Sequence, residues 1–405
     1  MGSEPPSATR TMGLGHWLAR HPPTTGGLGP LFQAYCGELK AHGLPVWRAS
    51  LILEILHPEM MGGMLTWVEG TLARQMGERT GTPSNPEYVN STSGYLNSPL
   101  RIVDETNRPF RRRLDQPSPD LPLLEELRAD RATDYIIFPL PFLDTTRSAA
   151  LSFATRVPAG FSEADLADLE QAVAIFSPYV ERYVLRRVAI DLLETYVGPR
   201  TAERIFGGRI VRGQIETITA AICMADLWGF TRLADSAPRE KVIAVLDDWF
   251  ECLALAVEAH DGEILKFMGD GLLAIYAVDG SPEEACERAL AAALKTLGAL
   301  HALNIRRAAA GEDRLACGFG LHLGEVAYGN VGGPRRLDFT VIGPAVNLAA
   351  RLEGLTRKLG ATVLMSEAFA LSLNRTVRPF GRHAIRGLNR MEQVFGLPDS
   401  SSLAL

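Results

Sequence analysis

Two carboxylates carry the strongest chemical signal in this chain. Asp226 lies in the run MADLWGFTRLAD (224–235), where an apolar, strand-like stretch (218–224) breaks into a turn and then a helix. Asp270 lies 44 residues later in ILKFMGDGLLAIY (264–276), on a Gly-Asp-Gly tip between two apolar strands. Carboxylates brought together at one end of a sheet are suited to holding Mg²⁺ against a polyphosphate, because hard cations take oxygen ligands and neutralise phosphoryl charge. A third run, DFTVIGPAVNLAARLEG (338–354), sets Asn347 and Arg351 four apart and so on one face of a helix. Leu348, Ala349 and Ala350 make that helix nearly apolar around Arg351, so the guanidinium is expected to be buried against an anion.

These residues need a frame. Residues 1–28 are rich in Pro, Gly, Thr and Ser and read as a flexible arm. From there to about 160 the pattern is mixed α/β: a helix over 32–42, then strands near 45–54, 65–69 and 100–103. Two clear strands follow at 134–141 and 148–155, with a turn at 143–147. Ser162 and Asp165 form a capping pattern that opens a helix expected to run to about Val197. Val173, Phe176, Val180, Tyr183, Ile190 and Val197 fall on a three-four seam, with Pro178 a point of bending. That seam fits packing on the helix's own domain or a parallel two-stranded stalk, and the stalk is the expectation taken forward.

Composition sets limits. The chain has 405 residues, 46% apolar and 22% charged, with a formal net charge of −6. This is globular composition with room for two or three domains, and its acidic balance argues against a nucleic-acid binder. Five cysteines, widely spaced and without a CxxC pair, point to neither disulfides nor zinc. With no long apolar run and no signal-peptide pattern, the expectation is a cytoplasmic protein without membrane partners.

In wording and spacing the three runs together resemble the class III nucleotidyl cyclase catalytic domain. That resemblance implies a ferredoxin-like α+β fold over 214–398, followed by a tail at 399–405. It implies that Asp226, Asp270 and the carbonyl of Leu227 hold two divalent ions, Mg²⁺ or Mn²⁺. One ion activates the ribose 3′-hydroxyl and the other rides on the triphosphate. The backbone N–H groups of Gly229, Phe230 and Thr231, opening a helix, are placed to receive phosphates. Lys266 and Thr340 become the base-reading pair. An ammonium opposite a hydroxyl suits adenine, which offers N1 as acceptor and its N6 amine as donor, so ATP is the expected substrate. Asn347 is assigned to the ribose and Arg351 to the α-phosphate. A late cation is assigned to the β- and γ-phosphates, Arg386 ahead of Arg390. His322, in GLHLGEVAYGNVGG (320–333), reads as a packed strand residue. The family's sites lie between two catalytic domains, which implies a homodimer.

The earlier region ends in a strand pair followed by GFSEADLADLEQAV (160–173). This resembles a GAF-type sensory domain, spanning 29–160, with 161–213 as signalling helix and connector. Its ligand is unknown, and Trp47, Trp67, Cys36 and Met60-Met61 read as core while His57 stays open as a haem-pocket marker. Read this way, the chain is an adenylate cyclase regulated by its N-terminal domain. The alternatives are a guanylyl cyclase and a catalytically silent dimerising sensor.

Overall fold

The strands expected at 134–141 and 148–155 are present as neighbours in a six-stranded antiparallel sheet. The computed structural model describes residues 8–20, 27–54, 60–78, 93–115, 121–143, 149–385 and 391–398. It divides into two units, Met1–Leu192 and Leu193–Leu405.

In the first unit the elements run α1 (Ala8–Arg20), α2 (Leu28–Ala41), β1 (Arg48–Glu54), β2 (Met60–Val68), β3 (Thr71–Glu78), α3 (Ser93–Leu96), α4 (Pro99–Thr106), β4 (Phe110–Arg113), α5 (Pro122–Ala129), β5 (Asp134–Pro139), β6 (Ala149–Thr155) and α6 (Glu163–Val197). The sheet order is β3-β2-β1-β6-β5-β4. One face packs Leu51, Phe138 and Phe153 under Leu18 of α1, Phe32 and Tyr35 of α2 and Phe176 of α6. The other face packs Tyr135, Ile137 and Ala150 against Val103 of α4 and Leu124 and Leu127 of α5. Covered on both sides, β5 and β6 read as continuous apolar runs.

Three expectations are corrected here and one strand is added. The arm is not wholly loose, because α1 forms and buries Leu14 and Leu18. Residues 100–103 are helical, not extended: Ser98 accepts from the Arg101 N–H as N-cap, Pro99 takes the first turn, and Asn107 closes the helix with φ 48. Strand β3 went unread, although Glu69-Gly70 (φ 47 and 95) is a two-residue hairpin turn. The first half of the α6 seam serves its own unit, since Val173, Phe176 and Val180 lie in that core with Tyr183 packed against it, whereas Ile190 and Val197 are only half-buried. The same three-four spacing fits a stalk or a single core, and as far as Tyr183 the unit's own core takes it. At the start of α6, Ser162 and Asp165 do form the reciprocal cap. Trp47, Trp67 and Cys36 are buried core residues. His57 and the 144–147 part of the turn lie outside the described residues.

The second unit continues from the end of α6 through α7 (Pro199–Phe206), β7 (Ile215–Leu227), α8 (Phe230–Ser236), α9 (Arg239–Glu258), β8 (Glu263–Met268), β9 (Gly271–Ala277), α10 (Pro282–Ala309), β10 (Cys317–Gly333), β11 (Arg336–Ile342), α11 (Pro344–Leu359), β12 (Val363–Ser366), α12 (Glu367–Leu371), β13 (Arg378–Ala384) and β14 (Met391–Gly396). Strands β10-β7-β9-β8 lie side by side and antiparallel. With α9 and α10 as the crossovers this is the β-α-β-β-α-β arrangement of ferredoxin-like folds. The mixed α+β architecture expected from the sequence is the one observed.

Alternation along β7 sorts the two faces. Ala221, Cys223 and Ala225 meet α9 and α10, whereas Ala220 and Ile222 meet Ala345 and Ala349 of α11. Helix α11 lies so close to β10 that a Cβ at Gly320 would overlap the Ala349 carbonyl oxygen and the Glu353 backbone nitrogen. No helix among the described residues is long and apolar enough to cross a membrane.

Candidate active site

Asp226 is the penultimate residue of β7, and Asp270 sits on the β8–β9 hairpin beside it. Met268 pairs with Gly271, leaving Gly269-Asp270 as a two-residue turn. Gly269 adopts φ 66, the left-handed conformation such turns require of their first residue. The main-chain oxygen of Asp270 accepts a 2.9 Å hydrogen bond from Trp249 Nε1 of α9, which fixes the tip. Strand register sets Ala225 opposite Leu272, so the end of β7 meets the start of β9. At Gly271 even a methyl group would stand 3.1 Å from Asp226 Oδ1.

Charge is concentrated here. Burial, then the charges of Asp270 and Glu353, push the Asp226 carboxyl up to about 7. Burial and the Asp270 charge likewise raise Glu353 to about 7. Among the described residues no group of three or more His, Cys, Asp or Glu is arranged as a metal cage. Two carboxylates and a carbonyl nevertheless suit Mg²⁺, which keeps several waters and binds through one or two carboxylates plus substrate phosphates. The residues present therefore fit the ion.

The pH dependence follows from these raised values. Between about pH 4 and 7 the folded form holds protons that the unfolded chain has released. That stability is complete at low pH and is lost as pH rises through about 7. In metal-free protein, Asp226→Asn is expected to raise the melting temperature at pH 8 by about 3 °C. The gain should shrink strongly at pH 5, and thermal denaturation at the two pH values measures it.

Glu353 was not singled out from the sequence. The signal was the four-residue ladder Ala345, Ala349, Glu353, whose first two members face the sheet. Arg351 lies two residues before Glu353 and so about 200° around the helix from it. Arg351 and Asn347 are both exposed. The expected burial of Arg351 is thus corrected: its apolar neighbours point to the sheet while it points away. One chain brings Asp226 and Asp270 together and directs Asn347 and Arg351 elsewhere.

Lys266 is on β8, and Thr340 is on β11 with only 9% exposure. Lys266 Nζ donates at 2.7 Å to Oδ2 of Asp338, two residues before Thr340 on the same strand. The β8–β9 register slips between Ile264 and Lys266, so Leu265 is an inserted residue of a β-bulge. Lys266 then pairs with Leu273 and Glu263 with Ile275, which places both on the α11 face. Lys266 and Asp338 line a cavity of about 510 Å³, together with Phe267 and Phe339.

Gly229 precedes α8 with φ 80. No side chain caps the first turn of α8, where Phe230 is half-buried and Thr231 exposed. Leu227 is buried at the end of β7. Arg386 and Arg390 lie outside the described residues. His322 binds Ser366 Oγ at 2.7 Å, and burial pushes it down to about 4, as suits a packed strand residue. All five cysteines are free.

The connector is tied to this unit. Thr201 of α7 donates at 2.8 Å to buried Glu263, which also accepts from Tyr328 of β10. Arg204 lies over the Tyr328 ring, 4.5 Å from its centroid, and pairs with Glu216.

Residues 213–396, under half of the chain, match the family model of the adenylate and guanylate cyclase catalytic domain. Adenylate cyclase 1 of Rhizobium meliloti (strain 1021) is 30% identical over 60% of this chain and 36% of its own length. An adenylate cyclase of Anabaena cylindrica is 34% identical over 40% of this chain and 32% of its own. The chain thus spans about a third of the length of these curated relatives. A solved bacterial light-regulated adenylyl cyclase superposes on 64% of this chain and 84% of its own, with a TM-score of 0.50 at 19% identity. That last likeness is one of fold alone. The C-terminal unit thus resembles adenylate and guanylate cyclase catalytic domains over residues 213–396, and adenylate cyclases are among the relatives it matches.

Proposed function

We propose that this domain converts ATP to 3′,5′-cyclic AMP and pyrophosphate. The observation that carries the reading is the meeting of Asp226 and Asp270 at the hairpin tip, in a domain that also holds Lys266 beside β11. Asp226, Asp270 and the Leu227 carbonyl would hold the divalent ions that class III domains use, Mg²⁺ or Mn²⁺. When bound, such ions acidify the ribose 3′-hydroxyl and neutralise the triphosphate.

The ribose 3′-oxygen bonds to the α-phosphorus, the bond from that phosphorus to the bridging oxygen breaks, and pyrophosphate leaves with those electrons. The hydroxyl proton passes to water. Backbone N–H groups of Gly229, Phe230 and Thr231 orient the phosphates, with Arg386 as the late cation. Lys266 donates to adenine N1, and Thr340 takes the N6 amine. Asn347 positions the ribose, and Arg351 stabilises the charge that builds on the α-phosphate.

Because α11 turns Asn347 and Arg351 away from the acidic pair of their own chain, we assign the site to two chains. One contributes the aspartates, and the other contributes Lys266, Thr340, Asn347 and Arg351. The partner is a second copy of this chain, since each copy carries both sets. The first unit, GAF-like over 29–160, regulates turnover through 161–213. Purified protein incubated with ATP or GTP and Mn²⁺ is expected to yield cyclic AMP from ATP in clear excess. Cyclic GMP as the main product, or no cyclic product at all, would replace this reading with one of its two alternatives.

A further inference from the structure

We infer that Trp228 is a positioning residue, tying the turn that carries the Leu227 carbonyl and the Gly229, Phe230 and Thr231 N–H groups to helix α11 of its own chain. This goes beyond the ligands proposed above and rests on the reading of that turn as the segment that meets metal and phosphate.

The turn has few other anchors. Gly229 leaves β7 with φ 80, and α8 beyond it has no fully buried side chain, Phe230 being half-buried against the core. The Trp228 N–H donates to the Ala316 carbonyl at 2.7 Å. Its indole Nε1–H points to the α11 side of the sheet and donates at 3.3 Å to Oγ1 of Thr356. Thr356 is a firm end for that bond. It is fully buried, and its own hydroxyl donates to the Glu353 carbonyl, which leaves a lone pair for the indole. Its helix is pressed onto β10 at Gly320, where a Cβ would overlap the Ala349 carbonyl oxygen. The strand also leaves room for the contact. Gly318 pairs with Asp226 in the β7–β10 register, and a Cβ there would overlap the Thr356 hydroxyl and stand 2.8 Å from Trp228 Nε1.

Such an anchor matters because the ligands on this turn are main-chain groups. A carboxylate can be re-aimed by a change of rotamer, whereas a carbonyl or an N–H goes where the backbone goes. The link onward to α8 is a glycine, the residue that restrains its own backbone least. Trp228 stands between the Leu227 carbonyl and the Gly229 N–H, so fixing its side chain fixes both neighbours. A misplacement of about 1 Å in a reacting constellation is enough to cost orders of magnitude in rate. Trp228→Phe keeps an aromatic ring in place and removes only the donor.

Mn²⁺ binding to full-length protein tests this without turnover, read from the electron spin resonance signal of free Mn²⁺ beside an ATP analogue lacking the 3′-hydroxyl. Trp228→Phe is expected to weaken Mn²⁺ binding about fivefold, the scale of one modest hydrogen bond. Its melting temperature should stay within about 3 °C of the parent. In steady state KM for ATP should rise by a similar factor, and kcat should fall less than KM rises. Thr356→Val should reproduce the loss and Thr356→Ser should keep parental binding. The Trp228→Phe/Thr356→Val pair should lose no more than either change alone, because both remove one bond. Asp226→Asn separates the two ideas. If it binds Mn²⁺ as the parent does, the metal assignment itself fails. If Asp226→Asn loses Mn²⁺ while Trp228→Phe and Thr356→Val keep it, the positioning role alone is overturned. Losses that add in the double variant would overturn it too, by giving each residue a separate packing role.

Discussion

Replacing Asp270 by alanine is expected to reduce cyclic nucleotide formation at least about a thousandfold, the scale on which metal-assisted phosphoryl chemistry depends on its carboxylates. The fold should survive. The hairpin tip is held by the main-chain oxygen of Asp270, which accepts from Trp249 Nε1, and by Gly269 in its left-handed conformation. Neither needs the carboxylate. Loss of one charge also relieves the repulsion that raises Asp226, so metal-free Asp270→Ala should melt no lower than the parent at pH 8. Activity assays beside thermal denaturation separate the two effects. A mutant that keeps a tenth of parental turnover would remove the aspartates from the chemistry.

Mixing two dead variants is expected to restore activity. Asp226→Ala breaks the acidic pair, and Arg351→Ala removes the cation proposed for the α-phosphate. In a shared site each mixed dimer combines one doubly defective site with one intact site. Equal amounts with free exchange give half mixed dimers, each with one of two sites working, so about a quarter of parental activity should return. The geometry behind this is the half-turn that separates Glu353, facing the acidic pair, from exposed Arg351. A mixture that stays inactive while tagged heterodimers are recovered would show that each chain builds its own site.

Much of this was legible because it is local. The Gly269-Asp270 turn, the break after β7 and the Ser162 cap each follow from a few adjacent residues. Facing was harder. Arg351 has apolar neighbours in sequence, but helical periodicity sends those neighbours one way and the arginine another. The α6 stripe spells apolar spacing without saying whether a partner helix or its own sheet receives it. Residues 100–103 are apolar enough for a strand, and only Ser98-Pro99 ahead of them and Asn107 behind settle the matter. Asp338 was passed over because its partner Lys266 is 72 positions away, brought near only by the folded β10–β11 hairpin.

The slip at Leu265 gives β8 a hidden parity. A strand is a two-sided tape, and a residue's side is decided by whether its count from a reference is odd or even. Glu263 and Lys266 are three apart and by plain counting would lie on opposite sides, yet both pair onto the α11 side of the sheet. One supports the connector through Thr201, and the other faces Asp338. Deleting Leu265 would leave every named side chain in the protein and still reverse one of the two, and no point substitution could put it back. For this stretch the evolvable unit is the number of residues as much as their identity, so length changes between 263 and 266 should be far rarer among working relatives than changes of residue type.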